Sequence, residues 1–115
     1  MLAKAEHVEP YVGSQPYMIV YGEDKIGKKM IVWVSEKDLH EAYETDGAAK
    51  AAVVAKVTGA DPGNRVIRAT PGKLDEDYVW EVYYKREQDG KTRYFYDYYR
   101  FADGGLIDTY RLGTS

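Results

Sequence analysis

The stretch YVWEVYYKREQDGKTRYFYDYYRF, Tyr78 to Phe101, decides the fold. Two runs rich in aromatic and β-branched residues flank Asp89-Gly90, a two-residue turn of the kind that adopts type I′ geometry and so sets the register of the strands it joins. One face then pairs Tyr84 with Phe95, Val82 with Asp97, Trp80 with Tyr99 and Tyr78 with Phe101. This largely aromatic set is the expected core, facing a helix. The other face pairs Lys85 with Tyr94, Tyr83 with Tyr96, Glu81 with Tyr98 and Val79 with Arg100. Tyrosines alternate there with charges, which suits either a binding platform or a wall against the rest of the molecule.

Outward from this hairpin, Val66 to Thr70 and Leu106 to Leu112 read as further strands, punctuated by Pro71-Gly72 and Asp103-Gly104-Gly105. Four strands in a row make an antiparallel meander. Before them, Thr45-Asp46 reads as the N-cap of a helix through Ala48 to Val57, stopped by Gly59 with Pro62 beyond. Tyr17 to Tyr21 and Met30 to Val34 form a second hairpin across the polar loop Gly22 to Lys29. A register like that of the other hairpin puts Tyr17, Ile19, Tyr21, Val32 and Val34 on one side and Met18, Val20, Ile31 and Trp33 on the other. Both sides are apolar, so this sheet is expected to be covered twice. Lys37 to Glu44 mixes good helix formers with strand-like alternation, and the alternation favours a third strand. Leu2, Ala5, Val8 and Val12 recur at helical spacing, which predicts a short amphipathic helix limited by Pro10 and Gly13.

The two hairpins align on Tyr21 and Tyr84, bringing Tyr17 onto Trp80, Ile19 onto Val82 and Trp33 onto Tyr96. The expected architecture is therefore α+β, with two tandem half-domains, residues 1–44 and 45–115, each a helix packed on an antiparallel β-sheet.

Composition narrows the function. The chain has 115 residues, 44% hydrophobic and 30% charged, enough apolar side chain for one core or two small tied lobes. A net charge of −3 supplies no general attraction for a phosphate backbone, so nucleic acid is a poor partner. Lys91 to Phe101 is loosely similar to the aromatic strand of an RNA-recognition domain, but it lacks the required glycines and contains Asp97. No cysteine is present, which removes disulfides, thiolate nucleophiles and thiolate metal sites. His7 and His40 fall on different elements and read as ordinary surface histidines. Asp75-Glu76-Asp77 lacks the alternating carboxylates of a calcium loop and reads as a solvated turn. No phosphate-binding glycine loop, nucleophile elbow or apolar run of membrane-spanning length occurs. The residues thus point to a protein with no catalytic residue, metal or cofactor. Tyrosine is the abundant aromatic, twelve residues against two Trp and two Phe.

Tyr17-x-x-x-Tyr21 followed by Ile31-Val-Trp33-Val, the helix after Asp46-Gly47, Val79-Trp80-Glu81-Val82-x-Tyr84, and Tyr94-Phe-Tyr96 before a glycine-containing turn and a final strand together carry a resemblance. Over nearly its whole length the chain resembles the extracytoplasmic part of the TseB-like (YpmB-like) cell-wall elongation regulators of Gram-positive bacteria, related to PepSY and cystatin-like folds. Arg100 departs from the family pattern, which has an acidic residue just before the last turn. The resemblance implies cystatin-like half-domains, no enzymatic activity, and a membrane-anchored ectodomain on the extracytoplasmic face whose spanning helix lies ahead of Met1. Its implied partner is a protein, a penicillin-binding transpeptidase, and it touches the membrane only through that helix. The partner-binding residues expected from the register are Tyr83, Tyr94, Tyr96 and Tyr98, flanked by Glu81, Lys85 and Arg100. The alternatives are a cystatin- or PepSY-like protease inhibitor, which needs an apolar wedge that the polar hairpin tips Glu23 to Lys29 and Gln88 to Lys91 lack, and a small-molecule or glycan site on the tyrosine face. A concave pocket there favours the latter and a flat sheet favours a protein partner.

Overall fold

The structure, a computed structural model, describes residues 2–112. The order is β1 (Lys4–Val12), β2 (Pro16–Glu23), β3 (Lys29–Val34), β4 (Leu39–Tyr43), a 3₁₀ turn (Glu44–Asp46), α1 (Lys50–Ala60), β5 (Arg65–Leu74), β6 (Asp77–Gln88), β7 (Lys91–Arg100) and β8 (Leu106–Arg111). The strands form two four-stranded antiparallel sheets, β1-β2-β3-β4 and β5-β6-β7-β8, so the fold is α+β, with one α-helix among the described residues.

Register in the β6–β7 hairpin follows its turn. Asp89 and Gly90 have φ of 55° and 76°, as a type I′ turn requires, and glycine takes the second of these without steric cost. Tyr84 lies opposite Phe95, Tyr83 opposite Tyr96 and Glu81 opposite Tyr98, and Phe101 N–H donates to Tyr78 C=O at 2.8 Å. The aromatic face is the core: Trp80, Val82, Tyr84, Phe95, Tyr99 and Phe101 are buried in one cluster with Val53 and Val57 of α1. Asp97 shares that face, and its buried carboxylate accepts hydroxyl hydrogen bonds from Tyr84, Tyr99 and Thr109, each at 2.9 Å. Three donors make an acidic side chain tolerable in a core position.

The first hairpin departs from the expected register. Its loop, Asp24 to Lys28, is closed by Asp24, whose N–H donates to Lys28 C=O and whose carboxylate accepts from the Ile26 and Lys28 N–H groups. An odd-length loop pairs residues of like parity, so Ile19 lies opposite Trp33 and Tyr21 opposite Ile31. The slip moves β3 over by one residue and exchanges its faces. Tyr17, Ile19, Ile31 and Trp33 therefore point together into the shared core. The reverse face is covered only in part, with Met30 and Val32 buried and Met18 exposed.

The N-terminal segment is a strand where helical spacing predicts a helix. The apolar set is left largely in solvent, with Val8 and Val12 exposed, while Tyr11 is buried. A helix there would bury the wrong residues, and the open side of β2 offers a full ladder of hydrogen bonds instead. Pro10 is accommodated because β1 is an edge strand. Among the described residues the first sheet consequently has no helix, and only the second matches the expectation of a helix on a sheet.

The strand expected at Lys37 to Glu44 is β4, but α1 begins and ends later than predicted. Thr45 and Asp46 belong to the 3₁₀ turn, where Asp46 Oδ2 accepts the Tyr43 N–H at 3.1 Å. Gly47-Ala48 then runs against Phe101, with Ala48 N–H donating to Phe101 C=O at 2.7 Å and Trp80 Nε1 donating to Ala48 C=O at 2.9 Å. These tertiary bonds hold the backbone out of a helix until Lys50. Gly59 lies inside the helix, which stops before Pro62. Asn64 Nδ2 donates back to Val57 C=O at 2.8 Å, and Asn64 Oδ1 accepts from Arg86, tying the helix end to β6.

One core joins the sheets. Trp33, fully buried, donates from Nε1 to Gly72 C=O at 3.0 Å, and the Tyr11 ring packs closely against the same glycine. No helix among the described residues is long and apolar enough to cross a membrane.

Candidate functional site

The outer face of the β6–β7 hairpin carries a ladder of tyrosines. Tyr83 stacks on Tyr96 at 4.7 Å between ring centroids and on Tyr94 at 5.9 Å, and Tyr96 continues to Tyr98 at 6.4 Å. The Arg68 guanidinium of β5 sits 4.8 Å above the Tyr83 ring, within reach of a cation–π interaction. Tyr83, Tyr94 and Tyr96 are part-exposed. Tyr98 and Glu81 are not, at 7% and 8% exposure, and lie at the bottom of the face. Lys85 stands exposed at one end, beside Tyr94. Arg100, at the other end, is held by Asp77 at 3.6 Å and Asp103 at 3.2 Å, away from the ladder.

Part of this face is a wall against the first sheet, and part stays open. Near Gly72 the first sheet closes it, because Tyr11 of β1 reaches across. Beyond Tyr11 the face opens into a cavity of about 490 Å³ lined by Tyr11, Arg68, Thr70, Glu81, Tyr96 and Tyr98, with Pro10 and Val12 at its lip. Burial raises the Glu81 pKa, and the neighbouring Tyr98 and Tyr11 hydroxyls and the Arg68 charge only partly oppose this. Burial also pushes the Tyr11 and Tyr98 hydroxyls above their ordinary range, with Glu81 adding to the effect.

Sequence reasoning located the ladder and Glu81 but missed Tyr11, Arg68 and Thr70. Tyr11 was hidden by the helical reading of its segment. Arg68 and Thr70 alternate along β5, and that alternation was the signal available for them once β5 is paired with β6.

A second polar cluster, also missed, ties the sheets together on their other side. Asp38, in the β3–β4 turn, accepts from the Tyr17 hydroxyl at 3.1 Å, from the Tyr78 hydroxyl, and from Lys73 Nζ at 3.1 Å. His40 stacks on Tyr78 at 3.8 Å and lies 5.3 Å from Trp33. It is therefore no ordinary surface histidine, and burial lowers its pKa. His7 is exposed, 3.2 Å from Glu9. The acidic triplet forms the exposed turn at Asp75-Glu76, as expected. At the first hairpin's tip, strongly polar as expected, Ile26 stands 87% exposed, a single apolar side chain and not a wedge. Among the described residues no group of three His, Asp or Glu is placed to hold a metal ion.

The Asp38 cluster predicts a pH dependence. Hydrogen bonds from Tyr78, Lys73 and Tyr17 lower the Asp38 pKa to about 2, against about 3.9 in an unfolded chain. The stabilisation is then fully present above about pH 4 and is lost as pH falls toward about 2. In urea unfolding at stepped pH, the wild type is expected to lose more stability than Asp38→Asn across this window. Parallel curves would exclude Asp38 as a lock between the sheets.

The family model described as the cell wall elongation regulator TseB-like domain matches residues 1–35, which contain β1, β2 and β3. Among curated proteins the chain is similar to the probable cell wall elongation regulator TseB of Bacillus subtilis (strain 168), 31% identical over 115 residues. That match takes in 92% of this chain and 66% of the relative, so the chain spans just under two thirds of the relative's length. Among solved structures it is similar to the YpmB protein from Bacillus subtilis, with a TM-score of 0.81 and 25% identity over 96% of this chain and 87% of that one.

Proposed function

Since the chain belongs to the TseB-like family of cell wall elongation regulators, we propose that it is a non-enzymatic interaction module that modulates wall elongation by associating with a penicillin-binding transpeptidase. It works on the extracytoplasmic face of the membrane, anchored through a segment outside this chain, and binds with the outer face of β6 and β7. The two sheets correspond to cystatin-like half-domains, 1–44 and 45–115. Their common strand order supports that correspondence, as does a one-residue bulge between the first and second strand of each.

The open stack of Tyr83, Tyr94 and Tyr96 is the observation that carries this reading. Rigid rings bury much area for little lost side-chain freedom, and a few such anchors dominate most interfaces. Tyr96 is the central anchor, since it stacks on two neighbours and also lines the cavity. Tyr96→Ala is expected to weaken binding to the extracytoplasmic portion of a candidate transpeptidase by about 1–2 kcal/mol, with Tyr83→Ala following and melting temperatures unchanged. Equal affinity for all three proteins would discard this face as the interface.

Concavity supports a second reading, a small-molecule or glycan site on the same face. A cavity of about 490 Å³ beside Tyr96 falls within the ordinary range for small ligands.

A further inference from the structure

Resting on that second reading, we infer that the cavity receives an amino-acid-like zwitterion, its ammonium group directed to Glu81 and its carboxylate to Arg68. Glu81 is buried, yet among the described residues no Lys or Arg nitrogen lies within 4.0 Å of its carboxylate. A buried carboxylate without a cation is costly, and a cation arriving through the open cavity relieves that cost. Tyr11, Tyr96 and Tyr98 line the same space, and aromatic walls around a carboxylate favour ammonium groups. The nearest protein cation does not fill this role, because Arg68 lies over Tyr83 and likewise has no carboxylate within 4.0 Å among the described residues.

Strand register sets the spacing. Arg68 lies opposite Tyr83 and Thr70 opposite Glu81, so Arg68 and Glu81 are diagonal neighbours on adjacent strands, a relation that puts residues about 7–8 Å apart. A small zwitterion fits between two such charges and satisfies both, with the Thr70 hydroxyl beside it. A simple amine would leave Arg68 unmatched, a simple anion would face Glu81, and a neutral sugar would match neither charge.

The test is a titration of the isotopically labelled chain, following the backbone amides of Thr70, Glu81 and Tyr96 by NMR. The probes are alanine, alanyl-alanine, ethylammonium, propionate, N-acetylalanine amide and N-acetylglucosamine. Saturable shifts are expected with alanine or alanyl-alanine, at least about tenfold tighter than with either single ion or the neutral amide. Glu81→Gln and the exposed Arg68→Gln are each expected to reduce zwitterion affinity by about tenfold, to the level of a single ion. Ethylammonium or propionate binding as tightly as the zwitterions would overturn the inference, as would zwitterion affinity unchanged in either variant. Saturation by N-acetylglucosamine alone would overturn it while leaving the glycan reading standing, and silence from every probe would remove both.

Discussion

Trp33→Ala is expected to lower the free energy of unfolding by about 3–5 kcal/mol, a large fraction of what holds a domain of this size together. Trp33 is fully buried and lies in the one core that the two sheets share. Its ring lies 5.3 Å from His40, Tyr78 and Phe101 alike, of which Tyr78 belongs to β6 and Phe101 directly follows β7. Truncation removes those contacts and leaves a cavity, and it also strips the Gly72 carbonyl of its indole donor. Trp33→Phe separates the two effects. It keeps most of the apolar volume and loses the N–H, so it is expected to cost about 1–3 kcal/mol, the penalty for an unsatisfied buried acceptor. Urea unfolding followed by near-ultraviolet circular dichroism measures both. A loss below about 1 kcal/mol for Trp33→Ala would mean the sheets do not depend on one core.

Gly72→Ala is the second large effect. A Cβ at this position would stand 2.3 Å from Tyr11 Cε1 and 2.4 Å from Tyr11 Cζ, separations no packed structure sustains. The backbone there cannot retreat, because Gly72 is paired with Val79 on one side and accepts the Trp33 indole on its carbonyl. Tyr11 must therefore leave. The expected cost is about 1–3 kcal/mol, as for other overpacked core positions, and the cavity wall should open with it. Tyr11→Ala removes the clash in advance. The double variant is expected to be more stable than the sum of the single effects predicts, by at least about 1 kcal/mol. Strict additivity would show that Tyr11 does not seat on Gly72 in solution.

What could be read in the sequence, and what could not, follows from how local each determinant is. Asp89-Gly90 carries its own geometry, so every pair from Val79–Arg100 to Lys85–Tyr94 was legible and the tyrosine ladder with it. The first hairpin looked alike in composition, but its register depends on a loop closed by the Asp24 carboxylate, and a one-residue difference exchanged the faces of β3. Leu2 to Val12 was misread because helical spacing is a local signal, whereas the fate of that segment is set by the free side of β2 and by a glycine sixty-one positions after Tyr11. The same non-locality hid half the candidate site. Arg68 and Thr70 meet Glu81 only once β5 has paired with β6, Tyr11 joins them only after the two sheets have docked, and Asp38 meets Lys73 and Tyr78 in the same way as Tyr11.

The proposal that the outer face of β6 and β7 is the binding surface has a direct test. The amide spectrum of the labelled chain, recorded with and without the extracytoplasmic portion of a candidate transpeptidase, maps the contact residue by residue. Perturbations are expected to cluster on Tyr83, Tyr94, Tyr96, Arg68 and the Tyr11 lip, leaving the exposed side of α1 unchanged. Perturbations confined to α1, or to the β4 and β8 edges, with the tyrosine ladder unmoved, would contradict it.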